Sequence, residues 1–340
     1  MLPIQAMHGI RVLDLTRLLP GPLATQWMAQ MGAEVVKIEE PGKGDYMRSM
    51  KPEGLFEQVN AGKKSVVLDL KSPAGQQQFH RLAATADVLI EGFRPGVMDR
   101  LNCGWSALQI VNPSLIYVAL TGYGSDGPYR DIAGHDVNYL AMAGVLDLMG
   151  DAGGAPSIPG VQIADIAGGS MQALTGTLAA LLERQRTGRG QFVDVSMTHG
   201  SAKLLQVAMA QLRIGTPLVR GEHVLSGHYA CYRVYQTADD RYVAVGALEA
   251  KFWKNLCGML GCAEYAEHQF AEDPLRTQII ARLQAAFREH SAEEWWSLMK
   301  DRDVSVTPVR TLAEALGDFG EPGQGPVPAL GEHTADFVGE

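Results

Sequence analysis

Cysteine is scarce, with four in 340 residues: Cys103, Cys231, Cys257 and Cys262. Four residues separate Cys257 from Cys262, where a zinc-binding CxxC has two, and no second cysteine pair joins them. That spacing argues against a zinc site. The chain is long enough to build a large core without disulfide staples. Its thiols are therefore expected to be free and buried in a reducing compartment, and the expected location is cytoplasmic. The opening MLPIQAMHGIRVLDL lacks the charged start and long apolar run of a signal peptide. No stretch approaches the roughly 18–20 apolar residues of a membrane-spanning helix. Positive charge is in deficit, 29 Lys and Arg against 38 Asp and Glu, for a net charge of −9. That balance argues against a nucleic-acid partner. Also missing are a GxSxG elbow, a Walker-A loop, an HExxH pair and a setting for a cysteine nucleophile.

What remains is an ordinary globular composition, 46% hydrophobic and 20% charged. Basic residues cluster early: Lys43, Arg48, Lys63, Lys64, Lys71, Arg94 and Arg100. A local site for an anionic small molecule is compatible with the acidic total. The first 124 residues alternate short apolar runs with helical patterns. Strands are expected at 10–15, 33–41, 65–70, 87–93 and 115–124. Helices are expected over PLATQWMAQMG with Gly32 as its stop, over SPAGQQQFHRLAATA with Ser72 as N-cap and Pro73 first, and in two pieces over RPGVMDRLNCGWSALQIVNP. This pattern predicts a parallel sheet with helices on both faces.

The first strand–loop–helix–strand unit, ending in Glu39 and Glu40, imitates a dinucleotide-binding fold. Its loop is LLPGP, without GxGxxG, and Pro20 and Pro22 remove amide donors that a pyrophosphate would need. NAD and FAD are therefore disfavoured. After Gly190 come a strand (QFVDVSM), a methionine-rich helical stretch, and a hairpin turning at Ala238–Asp239–Asp240. Three helices follow, the last with a Ser291/Glu294 capping box, and then a return to strand and helix. The Gly- and Pro-rich end, from GEPGQG onward, is expected to be an extended surface segment. The expected division is a large α/β domain of residues 1–190 with 306–340, a linker of 191–222, and a small α+β domain of 223–305.

Residues 133–190 hold two helical patterns joined by a Gly/Pro-rich connector. Asp165 stands at the start of the second. One reading makes it a helix N-cap. The other makes it a functional carboxylate beside backbone N–H groups that hold a forming oxyanion, with Gly168 and Gly169 leaving room for close approach. His135 starts the first helix, either as a structural residue or as a proton-transfer group. Glu249, in VAVGALEAKFW, either favours a helix dipole or serves as an auxiliary acid.

The ordered motifs RVLDLTRLLPGPLATQWMAQMGAEVVKIEEPGKGD, NAGKKSVVLDLKSPAG, ADVLIEGFRPGVMDRLN, LIYVALTGYGSDGPY, AGHDVNYLAMAG, ADIAGGSMQA and RQRTGRGQFVDVSM resemble the family III CoA-transferase superfamily, closest to its α-methylacyl-CoA racemase branch. The resemblance covers nearly the whole chain. It implies a Rossmann-like large domain built from both chain ends, a small middle domain, an interlocked homodimer, and an acyl-CoA substrate. No permanently bound cofactor and no metal are implied; coenzyme A enters as part of the substrate. Asp165 matches the aspartate that the family shares. His135 in GHD and Glu249 in GALE match the racemase set, and a GGGG-type loop is absent between 220 and 260. Coenzyme contacts are implied at Leu19 and Pro20, at Leu68, Asp69, Leu70 and Lys71, and at Gly92, Phe93 and Arg94. Others are implied at Arg100, Gly134, Asp136, Val137, Asn138 and Tyr139. Relatives often carry arginine where this chain has Glu40, and Lys43 and Arg48 stand as substitutes.

Three functions fit. The leading one is a racemase that removes and returns the α-proton of a 2-methylacyl-CoA, with His135 and Asp165 as acid and base, Glu249 behind His135, and enolate held by N–H groups at the Asp165 helix. The second is a CoA-transferase working through an Asp165 acyl intermediate. The third is a non-catalytic acyl-CoA-binding protein.

Overall fold

Two β-α-β windings share one sheet. In the computed structural model, which describes residues 5–320 and 325–339, the first winding runs β1 (Arg11–Leu15), α1 (Pro20–Gln30), β2 (Glu34–Glu39), α2 (Leu55–Asn60), β3 (Lys64–Val67). The second runs α3 (Pro73–Ala84), β4 (Val88–Glu91), α4 (Val97–Arg100), α5 (Trp105–Val111), β5 (Ile116–Thr121). Next come α6 (Asp136–Met142), a π-helical turn (Ala164–Ser170), α7 (Met171–Thr187) and β6 (Phe192–Ser196). All six strands are parallel, in the order β3-β2-β1-β4-β5-β6. This is the doubly wound order, which opens a crevice at the carboxyl ends of β1 and β4. β4 and β5 are buried at every residue, as a strand covered on both faces requires. The expected caps form: the Ser72 hydroxyl accepts from Gly75 N–H at 3.0 Å, and Gly32 takes a left-handed φ of +94° after α1.

Beneath the sheet's carboxyl edge lies a buried ion network. Lys63 Nζ contacts Asp14 Oδ2 at 2.9 Å, and Lys37 Nζ contacts Asp45 Oδ2 at 2.9 Å, all four side chains at most 1% exposed. Burial pushes the Asp14 carboxyl up, but Lys63, Lys37 and the hydroxyls of Thr16 and Thr25 outweigh it and hold it well below the usual range. Burial draws Lys63 down to about 8 despite Asp14. Breaking such a pair costs about 3–5 kcal/mol, because the surviving charge stays buried. The network's local effect is to pin Thr16. Its N–H and hydroxyl donate to Asp14 at 2.9 and 2.5 Å, and Lys37 donates to its carbonyl at 2.8 Å.

The chain divides into two compact units: 1–146, 158–207 and 322–340 in the first, 147–157 and 208–321 in the second. After α8 (Met197–Ala202) and α9 (Gln206–Arg213), the second unit carries the hairpin β7 (Tyr232–Gln236) and β8 (Tyr242–Gly246). Its helices are α10 (Ala250–Met259), α11 (Leu275–Phe287) and α12 (Ala292–Met299), followed by β9 (Val306–Pro308) and α13 (Leu312–Phe319). Trp253, Leu283, Phe287 and Trp295 lie at its centre with Cys231, Cys257 and Cys262. All four cysteines are free and buried.

Two expected boundaries are corrected. β6, read as part of the linker, is the sixth strand of the large sheet, paired with β5 from Tyr117↔Phe192 to Thr121↔Ser196. β9, read as the return to the large domain, pairs antiparallel with β8. Strand pairing is a long-range choice that local pattern does not carry. The terminal segment lies at the surface as expected, but it is not extended throughout. It docks on the exposed edge of β3: Gly331 N–H donates to Ser65 Oγ at 2.9 Å, and Val67 N–H to Thr334 Oγ1 at 3.0 Å. It ends in α14 (Thr334–Val338). Residues 321–324 of that segment lie outside the described residues. Among the described residues no helix is long and apolar enough to cross a membrane.

Candidate active site

Loops leaving β1, β4 and β5 meet the starts of α6 and the π-helical turn around a cavity of about 520 Å³. Thr16, Arg17, Leu18, Pro20 and Gly21 come from the first loop, and Gly92, Phe93, Arg94 and Pro95 from the second. Thr121, Gly122 and Tyr123, then Gly134, His135, Asn138, Tyr139, Asp165 and Met197, complete most of the wall. The position is the one the winding prescribes. A second cavity of about 540 Å³ lies beside it, lined by Leu68, Asp69, Leu70 and Lys71 together with Glu39, Glu40 and Leu101. Arg17 and Phe93 line both.

His135 occupies the N-cap position of α6, extended at φ −129° and ψ 179°. Its N–H donates to Asn138 Oδ1 at 3.1 Å, so the residue has a local structural role while its ring is exposed on the cavity wall. Asp165 departs from its N-cap reading. It is not the N-cap. It is the second residue of a π-helical turn, and no side chain caps that turn. π-turns are rare and collect at functional sites. The Asp165 N–H donates to Asp136 Oδ1 at 2.9 Å. That amide is occupied and does not serve a forming oxyanion. Gly168 and Gly169 are not open either. A β-carbon at Gly168 would sit 2.4 Å from Met197 O, and one at Gly169 3.0 Å from Met197 Cγ. These glycines admit α8 and α1, not a ligand.

Burial first, then the Asp136 carboxylate, raise Asp165 from 3.8 to about 7. Tyr139 is pushed up to about 12, mainly by burial and then by Asp165, and its hydroxyl donates to Gly134 O at 2.5 Å. Tyr123 packs edge-on against Tyr139 with centroids 5.2 Å apart.

Of the expected contacts, Pro20, Gly92, Phe93, Arg94, Gly134, Asn138 and Tyr139 share the first cavity with His135 and Asp165. Leu68 to Lys71 line the second. Leu19, Arg100, Asp136 and Val137 line neither. Leu19 precedes α1 as its N-cap residue, and Asp136 stands behind Asp165. Arg100 Nη1 and Arg130 Nη2 both approach Gly96, 3.4 Å from where a β-carbon would stand. Glu249 occupies the N-cap position of α10 in the second unit, exposed. Arg48, offered as a substitute for an arginine at position 40, is committed elsewhere. It is bound to Glu39 at 2.7 Å and lies over the Phe56 ring.

Sequence reasoning passed over Arg17, Tyr46, Tyr123, Arg130 and Glu91. The signal for Arg17 was its place two residues past the end of β1, at the carboxyl edge where such folds bind ligands. Glu91, buried at the end of β4, accepts from Phe93 N–H at 2.7 Å and is raised to about 8, chiefly by burial. It shapes the Gly92–Arg94 loop from below.

A model of the CoA-transferase family III matches residues 7–320. α-Methylacyl-CoA racemase of Homo sapiens is 37% identical over 314 residues, spanning 92% of this chain and 79% of the racemase. Succinyl-CoA:glutarate CoA-transferase of Mus musculus is 32% identical over 326 residues, 93% of this chain and 74% of the transferase. A crystal structure of a CAIB/BAIF family protein from Brucella suis superposes with a TM-score of 0.84 at 28% identity, covering 97% of this chain and 98% of that one.

Proposed function

The chain belongs to CoA-transferase family III, and on that premise we propose that it racemises 2-methylacyl-CoA thioesters at the α-carbon. The observation that carries this reading is that His135 and Asp165 line one cavity. A thioester acidifies its α-proton. The Asp165 carboxylate removes it from one face, and the electron pair moves into the C–C bond and onto the thioester oxygen. His135, protonated, returns a proton to the opposite face. Asp165 ends protonated and His135 neutral, and proton exchange with water resets both. The reverse reaction exchanges the roles.

The raised Asp165 supports proton transfer over nucleophilic attack. A group titrating near 7 is matched to giving and taking protons at neutral pH, whereas a nucleophile gains from being fully ionised. Asp136 is a positioning residue here: it fixes the Asp165 backbone and adds to its proton affinity. The proposed coenzyme contacts are the wall residues Pro20, Gly92, Phe93 and Arg94 with Leu68 to Lys71. Glu249 is proposed as an auxiliary acid.

The proposed assembly is a homodimer. Its support is an unusual exposure of large apolar side chains between 158 and 212, including Ile158 at 71%, Val161 at 60% and Leu182 at 63%. CoA transfer between carboxylic acids is the competing activity, favoured by the transferase relatives of nearly equal identity. Two incubations, one without and one with an acceptor acid, separate the two. A single epimer of a 2-methylacyl-CoA, with no free acid present, becomes a mixture of epimers. An epimer that stays intact, while CoA passes to added acid and hydroxylamine traps an acyl group on Asp165, overturns the proposal.

A further inference from the structure

The Gly- and Pro-rich connector between α6 and the π-helical turn is folded around one side chain. Residues 147–157 of the connector and Arg220 belong to the same compact unit. Arg220 Nε donates to Asp147 O at 2.6 Å, Nη2 donates to Asp147 Oδ1 at 2.8 Å, and Nη1 donates to Gly154 O. One planar fork thus holds both limbs of the loop, which the single point charge of a lysine does not reproduce. The Asp147 side chain is 73% exposed, so its ion pair with Arg220 contributes little. The two backbone carbonyls, as acceptors from a charged donor, are the stronger contacts.

Around the guanidinium the loop closes on itself. Ser157 N–H donates to Met149 O at 3.0 Å and Gly154 N–H to Asp151 O at 3.1 Å. Gly150 turns at φ +118°, and a β-carbon there would stand 3.2 Å from Arg220 Cδ. A β-carbon on Gly221, the next residue after the arginine, would meet Ala152 N at 2.5 Å. A glycine-rich connector is flexible unless something holds it, and here Arg220 does.

Both ends of the held loop lead to the site. Asp136 opens α6 before it, and Asp165 lies in the π-helical turn after it. The bond from Asp165 N–H to Asp136 Oδ1, 2.9 Å, closes that stretch of chain. Clamping the loop shortens the free chain between those two residues and so lowers the entropic cost of holding them together.

We propose that Arg220 is a positioning residue for the His135–Asp165 pair: by clamping the connector it sets the separation of α6 and the π-helical turn. The inference rests on the proton-transfer reading above. Asp136 and Tyr139 of α6 act electrostatically on or with Asp165, and His135 shares its cavity. α1 and α8 meet the turn through Pro20, Met197 and Ser201, which carry no charge. A displaced Asp136 is therefore read directly in the titration of Asp165.

The test compares Arg220→Ala and Arg220→Lys with the wild-type full chain. In both variants hydrogen exchange quickens at the amides of Gly154 and Ser157. The kcat for epimerisation falls about 10–100-fold with KM unchanged, the scale of a small misplacement of reacting groups. The acidic limb of the pH–rate profile moves to lower pH, because the Asp136 carboxylate no longer stands against Asp165. A loss of stability alone would lower the denaturation midpoint and leave the limb in place. Arg220→Lys keeps the charge and most of the side chain, so it carries the test if Arg220→Ala does not fold. Asp147→Asn retains both carbonyl contacts and stays near wild type. A wild-type kcat and limb in the Arg220 variants overturn the proposal, as does an Asp147→Asn chain impaired like Arg220→Ala. If the wild-type protein exchanges no α-proton, the proton-transfer reading falls first, and connector exchange still reports whether Arg220 is a clamp.

Discussion

Burial and one neighbouring carboxylate give Asp165 its chemistry. Its folded value of about 7 against an ordinary 3.8 means that the folded protein holds this proton while the unfolded chain has released it. Stability attributable to Asp165 is complete below pH 4 and declines as pH rises to about 7. Asp165→Asn should flatten that segment of a stability-versus-pH curve while lowering α-proton exchange by a factor of about 10²–10⁴. Urea melts at several pH values check the first, and exchange rates the second. An unchanged pH profile of stability would contradict the assigned environment. Asp136→Asn tests the neighbour. The amide still accepts from Asp165 N–H, but the charge is gone, so the acidic limb of the pH–rate profile should move to lower pH. A limb that stays in place would mean burial acts alone. The sequence made His135 and Asp165 visible as ionisable residues at helix starts. It did not reveal what each touches, because the Asp136–Asp165 contact spans 29 positions and depends on two loops.

Among elements, the π-helical turn and α8 form the tightest pairing near the site. A β-carbon on Gly200 would lie 2.1 Å from Gly168 O, a backbone atom of the turn that carries Asp165. Gly200→Ala should therefore destabilise the protein by about 1–3 kcal/mol through overpacking and lower kcat by shifting that turn. Gly160→Ala, with nothing within 4 Å, is the control. Denaturant midpoints and kcat for both variants check this, and a Gly200→Ala protein as stable and active as Gly160→Ala would contradict it. Most elements were readable locally. Ser72 and Pro73 opened a helix, and alternation bounded by Pro and Gly marked strands. The π winding was not readable. A helix-periodic run such as IAGGSMQALTGTL carries no mark of one widened turn, which is set by the approach of α8 and α1 against Gly168 and Gly169.

At the scale of the molecule, chain order and spatial order differ. β6 completes the large sheet, β9 completes the small one, and the last described segment returns to the first unit. Parallel order itself was legible, since each crossover left its helix in the sequence. The partners of β6 and β9 were not, because pairing across more than fifty residues leaves no local trace. The returning segment covers the edge of β3, with Phe337 beneath Arg11 and Lys64. Deleting residues 325–340 should uncover that edge, lower the thermal midpoint and promote association at high concentration. Calorimetry and light scattering check it, and a truncated chain with an unchanged melt would contradict a structural role for the segment.

The central claim is that His135 and Asp165 exchange protons with one α-carbon, and solvent deuterium reads it directly. Wild-type protein in deuterated water, given a 2-methylacyl-CoA and no acceptor acid, should place deuterium at the α-position. His135→Ala should lose epimer interconversion. No deuterium incorporation by the wild-type protein, with His135→Ala indistinguishable from it, would contradict the account.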